Sequence, residues 1–183
     1  MSDEFLVRYC APTLAGMKTG SVFRCAYTSR EKILAQIRRL NQRLGSKGLR
    51  VIPLRFTVAS VLVYVFRPEH LRRDLENDLA AGLLRQQGYT DLRAACCLTR
   101  LIHRLGSGGA FPHELGLFLG YPPEDVRGFM ENKTAGYQCA GCWKVYGDAA
   151  SAQRIFARYK KCTRVYWDRY AQGIGLERLT VAG

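Results

Sequence analysis

The chain has 183 residues, a formal net charge of +13 and a pI near 9.7. A domain of this length hides on the order of 70% of its unfolded surface, so we expect one domain, residues 1–183, that needs no disulfide bonds. The longest apolar run, Val58 to Phe66, is shorter than the roughly 18 to 20 residues of a spanning helix, and we expect no membrane crossing.

The cysteines and the net charge indicate the cellular compartment of the protein and the kind of partner it binds. The seven cysteines are an odd number, and the acidic start "MSDEFLVRYC" lacks the order of a secretory signal. We therefore expect free thiols in a cytoplasmic protein. The positive charge is spread along the chain and favours an anionic partner, whether nucleic acid, an acidic protein or a small molecule; a basic surface that serves only solubility is an equal alternative.

The first half of the chain predicts strands on either side of a helix. "FLVRYC" and "SVFRCAY" are predicted strands, and Thr28 with Glu31 forms a capping box that opens a helix ending at Gly45. "LRVIPLRFTV" and "SVLVYVF" are rich in β-branched and aromatic residues and should pair as antiparallel strands. Pro53 places the first of these two at an edge or at a bulge.

The second half is predicted to be mainly helical. One helix begins at Pro68 and runs to Gly88, a second begins near Asp91, and a third is long and capped by Asp148. "LERLTVA" is predicted to be a final strand. Strands at both ends with helices between them indicate the α+β class, with an antiparallel sheet covered by helices.

The segment "APTLAGMKTGSVF" indicates an anion site. Glycines free backbone amides there, close to an ammonium group and to hydroxyl groups, which together suit a phosphate or carboxylate; the candidate ligands are Thr13, Lys18, Thr19 and Ser21. The spacing of glycines is not that of a P-loop, because Ala11 and Met17 stand where glycines are required.

The segment "FPHELGLFLGYPPEDVRGF" has the packing spacing of a helix-turn-helix, at Gly116, Gly120, Val126 and Phe129. Its second helix carries three acidic residues against one basic residue, which phosphates would repel, so the spacing favours packing over DNA reading. His113 and Glu114 follow Pro112 beside a glycine-rich hinge, and we consider them as candidate catalytic residues. A surface histidine beside a glutamate at a helix start is an equal alternative.

Cys139 and Cys142 form the CxxC pair of the chain. Such a pair supplies half of a tetrahedral zinc site, and Cys162 is a candidate third ligand, completed by Cys10, Cys25 or His113. The alternative is that Cys162 packs as a small apolar side chain on its helix.

Five segments in this order resemble an uncharacterised bacterial family, domain of unknown function 3793: "APTLAGMKTGSVF", "FPHELGLFLGYPPEDVRGF", "GCWKVYGD", "KKCTRVY" and "LERLTVA". The resemblance covers about residues 10–182. It implies a cytoplasmic bacterial protein of this length and assigns no reaction, no cofactor and no catalytic residue.

The leading hypothesis joins the two glycine-bearing segments into one pocket for an anionic small molecule. Lys18 and Ser21 would face His113 and Glu114 across a cleft, with Lys144 and Tyr146 on a neighbouring strand. One alternative is a nucleic-acid-binding protein whose basic face consists of Arg30, Lys32, Arg38, Arg39, Arg43, Lys160, Lys161 and Arg164. A second is a metal or redox accessory protein that uses the cysteines.

Overall fold

A three-stranded antiparallel sheet lies at the centre of the molecule. The computed structural model describes residues 1–133 and 135–183, and the strands are β1 (Gly20–Ala26), β2 (Arg50–Phe56) and β3 (Ser60–Phe66). Their order is β1-β3-β2, so β3 pairs on both sides. The β-branched and aromatic side chains of β3 suit this central position.

Helices cover the sheet, and a short hairpin lies apart from it. The helices are α1 (Asp3–Leu14), α2 (Arg30–Leu44), α3 (Pro68–Leu75), α4 (Asp78–Gln86), α5 (Ala94–Gly106), α6 (Leu115–Phe118), α7 (Pro123–Asn132), α8 (Ala149–Ala171) and α9 (Leu176–Leu179). The hairpin pairs β4 (Cys139–Ala140) with β5 (Lys144–Val145). This is one domain of the predicted α+β class. Among the described residues, no helix is both long and apolar enough to cross a membrane.

The sheet separates two hydrophobic cores. Val61, Val63 and Val65 belong to the core that includes α1, α2 and α9. Tyr64 and Phe66 point the opposite way, into a core shared with α3 to α7. Because both faces of β3 are buried, its apolar residues form a continuous run, as "SVLVYVF" shows.

Strand β2 confirms the prediction made from Pro53. The strand lies at one edge of the sheet, and its register against β3 shifts between Pro53 and Arg55. Proline has no N–H to donate to a ladder, so an edge strand with an irregular register accommodates it.

Both predicted terminal strands were wrong, because "FLVRYC" is helical and "LERLTVA" begins with a short helix and forms no strand. The "FLVRYC" segment belongs to α1, where Leu6, Cys10 and Leu14 are fully buried at four-residue spacing. Near the other end, Leu176 and Leu179 are buried from one turn of helix. Short apolar runs suit either structure, and here packing against the sheet selects the helical period.

Two helix starts differ from their predicted positions. Ser29, rather than Thr28, caps α2 by accepting a hydrogen bond from the backbone N–H of Lys32 at 3.3 Å. The single helix predicted from Pro68 to Gly88 is divided into α3 and α4, because the Asn77 side chain caps a new helix by accepting from two backbone N–H groups.

Candidate functional site: a basic cleft beside an apolar cavity

A cavity of about 730 Å³ lies between α1 and α8, next to the turn that joins α1 to β1; we call it the basic cleft. Its α8 wall is one helical stripe, with residues at intervals of three and four: Phe156, Tyr159, Lys160, Thr163, Arg164 and Trp167. Arg8, Tyr9 and Pro12 of α1 form the opposite wall, and Lys18, Ser21 and Cys142 complete the lining.

Positive charge dominates the basic cleft. Arg8, Lys18, Lys160 and Arg164 line it, whereas no Asp or Glu does so within the described part of the chain. Lys160 and Arg164 are exposed, and Lys18 is half-buried. Charges of one sign along the walls of a cleft reinforce one another and concentrate anions there.

Lys18 occupies the deeper part of this lining. Its Nζ lies 5.0 Å from the centroid of the Tyr121 ring, a cation–π contact. Burial lowers the pKa of the Lys18 amine, whereas negative charge on Cys142 or Cys10 would raise it. Desolvation therefore disfavours the charged form of this amine.

The other three predicted anion ligands lie near Lys18, but two of them serve the fold. Thr13 and Ser21 share a buried hydrogen bond of 2.9 Å between their hydroxyl oxygens, and Ser21 also lines the basic cleft. Thr19 is buried and donates its hydroxyl hydrogen to Asp74. Thr13 and Thr19 are absent from the described lining of the basic cleft.

The "FPHELGLFLGYP" segment builds a second, smaller cavity of about 370 Å³, which we call the apolar cavity. His113 and Lys144 line it together with mostly apolar side chains: Phe111, Leu115, Leu119, Tyr121, Val126, Phe129 and Trp143. The His113 ring meets Phe129 edge-on at 4.9 Å between centroids. Lys144 Nζ lies 4.9 Å from the centroid of the Tyr137 ring.

The single pocket predicted for the two segments is thus two cavities that share an aromatic wall. Tyr121 stacks on Trp143 at 4.8 Å, and Trp143 meets Phe156 edge-on at 4.6 Å. Phe156 faces the basic cleft, whereas Tyr121 and Trp143 line the apolar cavity. Lys18 and His113 therefore lie on different sides of this wall, because stacked rings fill the space between the segments.

Glu114, predicted beside His113 in the pocket, is a buried member of the protein core. Only 1% of its side chain is exposed, and its carboxylate accepts a hydrogen bond from the Tyr89 hydroxyl at 3.0 Å. Arg104 Nε lies 2.9 Å from the same oxygen. The arrangement is that of a satisfied buried ion pair, which the adjacent sequence positions of His113 and Glu114 do not reveal.

Buried Asp125 fixes the hairpin to α7. Its carboxylate accepts hydrogen bonds from Trp143 Nε1 at 2.7 Å and from the backbone N–H groups of Tyr146 and Gly147. The Tyr146 hydroxyl donates to the backbone carbonyl of Lys133 at 2.8 Å. Tyr146, a predicted ligand-binding residue, is therefore held against α7 and is absent from the described lining of both cavities.

The helix-turn-helix spacing describes a packing unit. A Cβ on Gly116 would lie 2.8 Å from Val126, and Gly120 has a φ of +74°, which favours glycine. The first helix of the unit, α6, is only four residues long, and Asp125 of the second is buried. Gly116, Asp125 and Val126 of this unit also line the apolar cavity.

The three cysteines predicted to bind metal lie in different surroundings. Cys142 is exposed and lines the basic cleft, Cys139 lies in β4, and Cys162 is half-buried on α8. In residues 1–133 and 135–183, no group of three or more His, Cys, Asp or Glu side chains could hold a metal ion. Burial raises the pKa of both Cys142 and Cys162, which favours neutral thiols.

Several lining residues of the basic cleft were missed as site residues. Arg8, Tyr9 and Trp167 had no predicted role, and Lys160 and Arg164 were assigned to a nucleic-acid face. The signal was the basic and aromatic stripe of α8, whose partner helix α1 had been predicted as a strand. In the predicted basic face, Arg43 is committed to ion pairs with Asp3 and Glu177.

Fold and site define a basic α+β protein with a cationic cleft between two helices and an apolar cavity behind it. By sequence, the chain belongs to the family described as "Protein of unknown function (DUF3793)", whose profile matches residues 6–180. The comparison with curated proteins finds no match, and neither does the comparison with solved structures.

Proposed function

We propose that this protein binds an anionic small molecule with a flat apolar part, and that the basic cleft is the binding site. The observation that carries the proposal is the composition of the lining, in which four basic side chains are joined by no carboxylate among the described residues. An anion entering the cleft would exchange water for charged donors without meeting a like charge.

The remaining lining residues favour a ligand with an aromatic ring. Tyr9, Phe156, Tyr159 and Trp167 present ring surfaces in the same cleft as the basic groups. Tyr9 and Trp167 are 48% and 38% exposed, so part of each ring is accessible to a ligand even though Tyr9 stacks on Phe23. Aromatic side chains stack on planar groups, and the volume of about 730 Å³ lies within the usual range for small-molecule sites.

Titration with adenosine monophosphate, an anionic molecule with an aromatic base, tests the proposal. Binding is followed by calorimetry and by the tryptophan fluorescence of Trp143 and Trp167 together, with adenosine and inorganic phosphate as partial probes. We expect adenosine monophosphate to bind more tightly than either partial probe. Affinity should fall as salt is raised, since exposed charges are screened.

Two charge variants locate the site. Lys160→Gln and Arg164→Gln should each weaken binding about three- to tenfold, which is what one partly exposed charged contact contributes. Arg38→Gln removes the same charge from an exposed position on α2, outside the cleft lining, and should leave the affinity unchanged. Equal weakening by all three variants would indicate a general effect of net charge and would contradict the proposal.

A single-stranded oligonucleotide provides the test against nucleic-acid binding. If the oligonucleotide bound far more tightly than adenosine monophosphate and Arg38→Gln weakened it as much as Arg164→Gln did, the binding surface would be an extended basic face. The small-molecule proposal would then be wrong.

A further inference from the structure

Lys18 is held in place by its backbone. The N–H groups of Met17 and Lys18 donate to the carbonyl of Pro12 at 2.8 and 3.2 Å, and the Tyr159 hydroxyl donates to the Met17 carbonyl at 3.2 Å. The turn is therefore fastened both to the end of α1 and to α8. The backbone position from which the Lys18 side chain enters the cleft is therefore defined.

The Lys18 amine lacks the partners that other shielded cations of this protein have. Within the described residues, no carboxylate oxygen lies within 4.0 Å of it, and it donates no hydrogen bond to a protein acceptor. Its neighbour is the Tyr121 ring. By contrast, buried Arg67 donates to the carbonyls of Thr13, Leu14 and Val181.

The thiols near Lys18 supply no compensating charge at neutral pH. Burial raises the pKa of Cys10 to about 12, and burial also raises that of Cys142. Both groups are therefore protonated at neutral pH, so the thiolate charge that would raise the pKa of Lys18 is absent, and the lowering by burial remains. An amine kept short of water and counter-charge is more often uncharged, and the uncharged amine is the nucleophilic form.

We propose that Lys18 is a covalent attachment point for a small anionic aldehyde or ketone bound in the basic cleft, an inference that rests on the proposed function. The Lys18 nitrogen attacks the carbonyl carbon, a C=N bond replaces the C=O bond, and the oxygen leaves as water with the two amine hydrogens. Addition of water reverses the step. Arg8, Lys160 and Arg164 hold the anionic group, which leaves Lys18 free for the carbonyl.

Reductive trapping with pyridoxal phosphate, an anionic aromatic aldehyde, tests this inference. The protein is incubated with the aldehyde, reduced with borohydride and digested, and the modified lysines are identified by mass spectrometry. We expect Lys18 to be modified at least tenfold faster than Lys160 in the same cleft, or than exposed Lys32 on α2. Equal modification of Lys18 and Lys160 would overturn the inference.

Lys18→Arg separates chemistry from charge. This variant keeps a cation in the cleft, and its reducible adduct with pyridoxal phosphate should fall more than tenfold. Lys32→Arg, at an exposed position on α2 outside the cleft lining, is the matched control and should retain the Lys18 adduct. Urea unfolding midpoints of both variants verify that each is folded.

The outcomes distinguish the two proposals. If the parent protein bound adenosine monophosphate but formed no Lys18 adduct with pyridoxal phosphate, the covalent inference alone would be overturned. Failure of both pyridoxal phosphate and adenosine monophosphate to bind would overturn the proposed function and the inference together.

Discussion

The core around Glu114 and the basic cleft differ in whether their charged side chains have partners within the protein. Glu114 is buried with an arginine and a tyrosine as partners, and Asp125 is buried with three donors. In the cleft, four cations face a common space, and no Asp or Glu of the described chain lines it with them. Satisfied charges of the first kind hold helices together, whereas the unmatched charges of the second kind are suited to an external anion.

Removal of Glu114 should give the largest loss of stability. Glu114→Ala leaves Arg104 and the Tyr89 hydroxyl without their shared acceptor, and we expect the free energy of unfolding to fall by about 3 kcal/mol, because one partner of a buried ion pair is lost. Urea denaturation measures the change. Glu114→Gln retains an acceptor oxygen and should lose less.

The same Glu114 variants also test whether the buried ion pair is separate from the ligand site. Their affinity for adenosine monophosphate, measured under folding conditions, should equal that of the parent protein. A folded Glu114→Gln protein with strongly weakened binding would show that the buried pair contributes to the ligand site, as the sequence had led us to expect.

Two helical glycines should respond to alanine with opposite signs. A Cβ on Gly128 of α7 would lie 2.4 Å from Cγ of Tyr146, so Gly128→Ala should lower the free energy of unfolding by about 1–3 kcal/mol through overpacking. Gly82 of α4 has open space around it, and Gly82→Ala should raise the free energy of unfolding by about 0.5–1 kcal/mol. Thermal and urea unfolding measure both. If both substitutions changed the free energy of unfolding by the same amount and sign, the hairpin would have to move away from α7 at little cost.

Alkylation of Cys142 should report occupancy of the basic cleft. With adenosine monophosphate at ten times its Kd, the alkylation rate should fall about tenfold, in proportion to the unoccupied fraction. Half-buried Cys96 on α5 lies outside the cleft lining and should react at an unchanged rate. Protection of Cys96 as well would indicate global stabilisation instead of direct shielding.

Arg43 should give the smallest effect, although it joins three helices. It pairs with Asp3 of α1 and Glu177 of α9 but is 37% exposed, so Arg43→Gln should lower the free energy of unfolding by about 1 kcal/mol or less. Exposed Arg38→Gln should change it by less than about 0.5 kcal/mol. At high salt the free energies of unfolding of the two variants should become more similar, because salt screens the ion pairs of Arg43.

Local chemistry made the three strands of the central sheet and some helix starts predictable. Pro68 and Asp148 begin helices as expected, and the β2–β3 pair was read from β-branched and aromatic residues. The break at Asn77 carried a visible signal, since asparagine is a strong capping residue. By contrast, "FLVRYC" gave no decisive period, and its helical state depends on packing against the sheet and α8.

Only part of the candidate site could be predicted from the sequence. Lys18 and Ser21 were predicted as anion ligands from the glycines, hydroxyls and ammonium of one segment, and both line the basic cleft. The pairing of that segment with α8 was not predicted. It depends on contact between residues more than 140 positions apart, such as the hydrogen bond from Tyr159 to Met17.

The sequence by itself determined the α+β class, the central strand pair and the surplus of positive charge, because these follow from composition and from neighbours within a few residues. Only the tertiary structure decided where the charge is available. Packing buried Glu114 against Arg104, stacked Tyr121 and Trp143 between the two cavities, and left Lys18 beside α8. The physical reason is that burial and the choice of partner, which set whether a charged group is structural or available, are properties of contacts between distant parts of the chain.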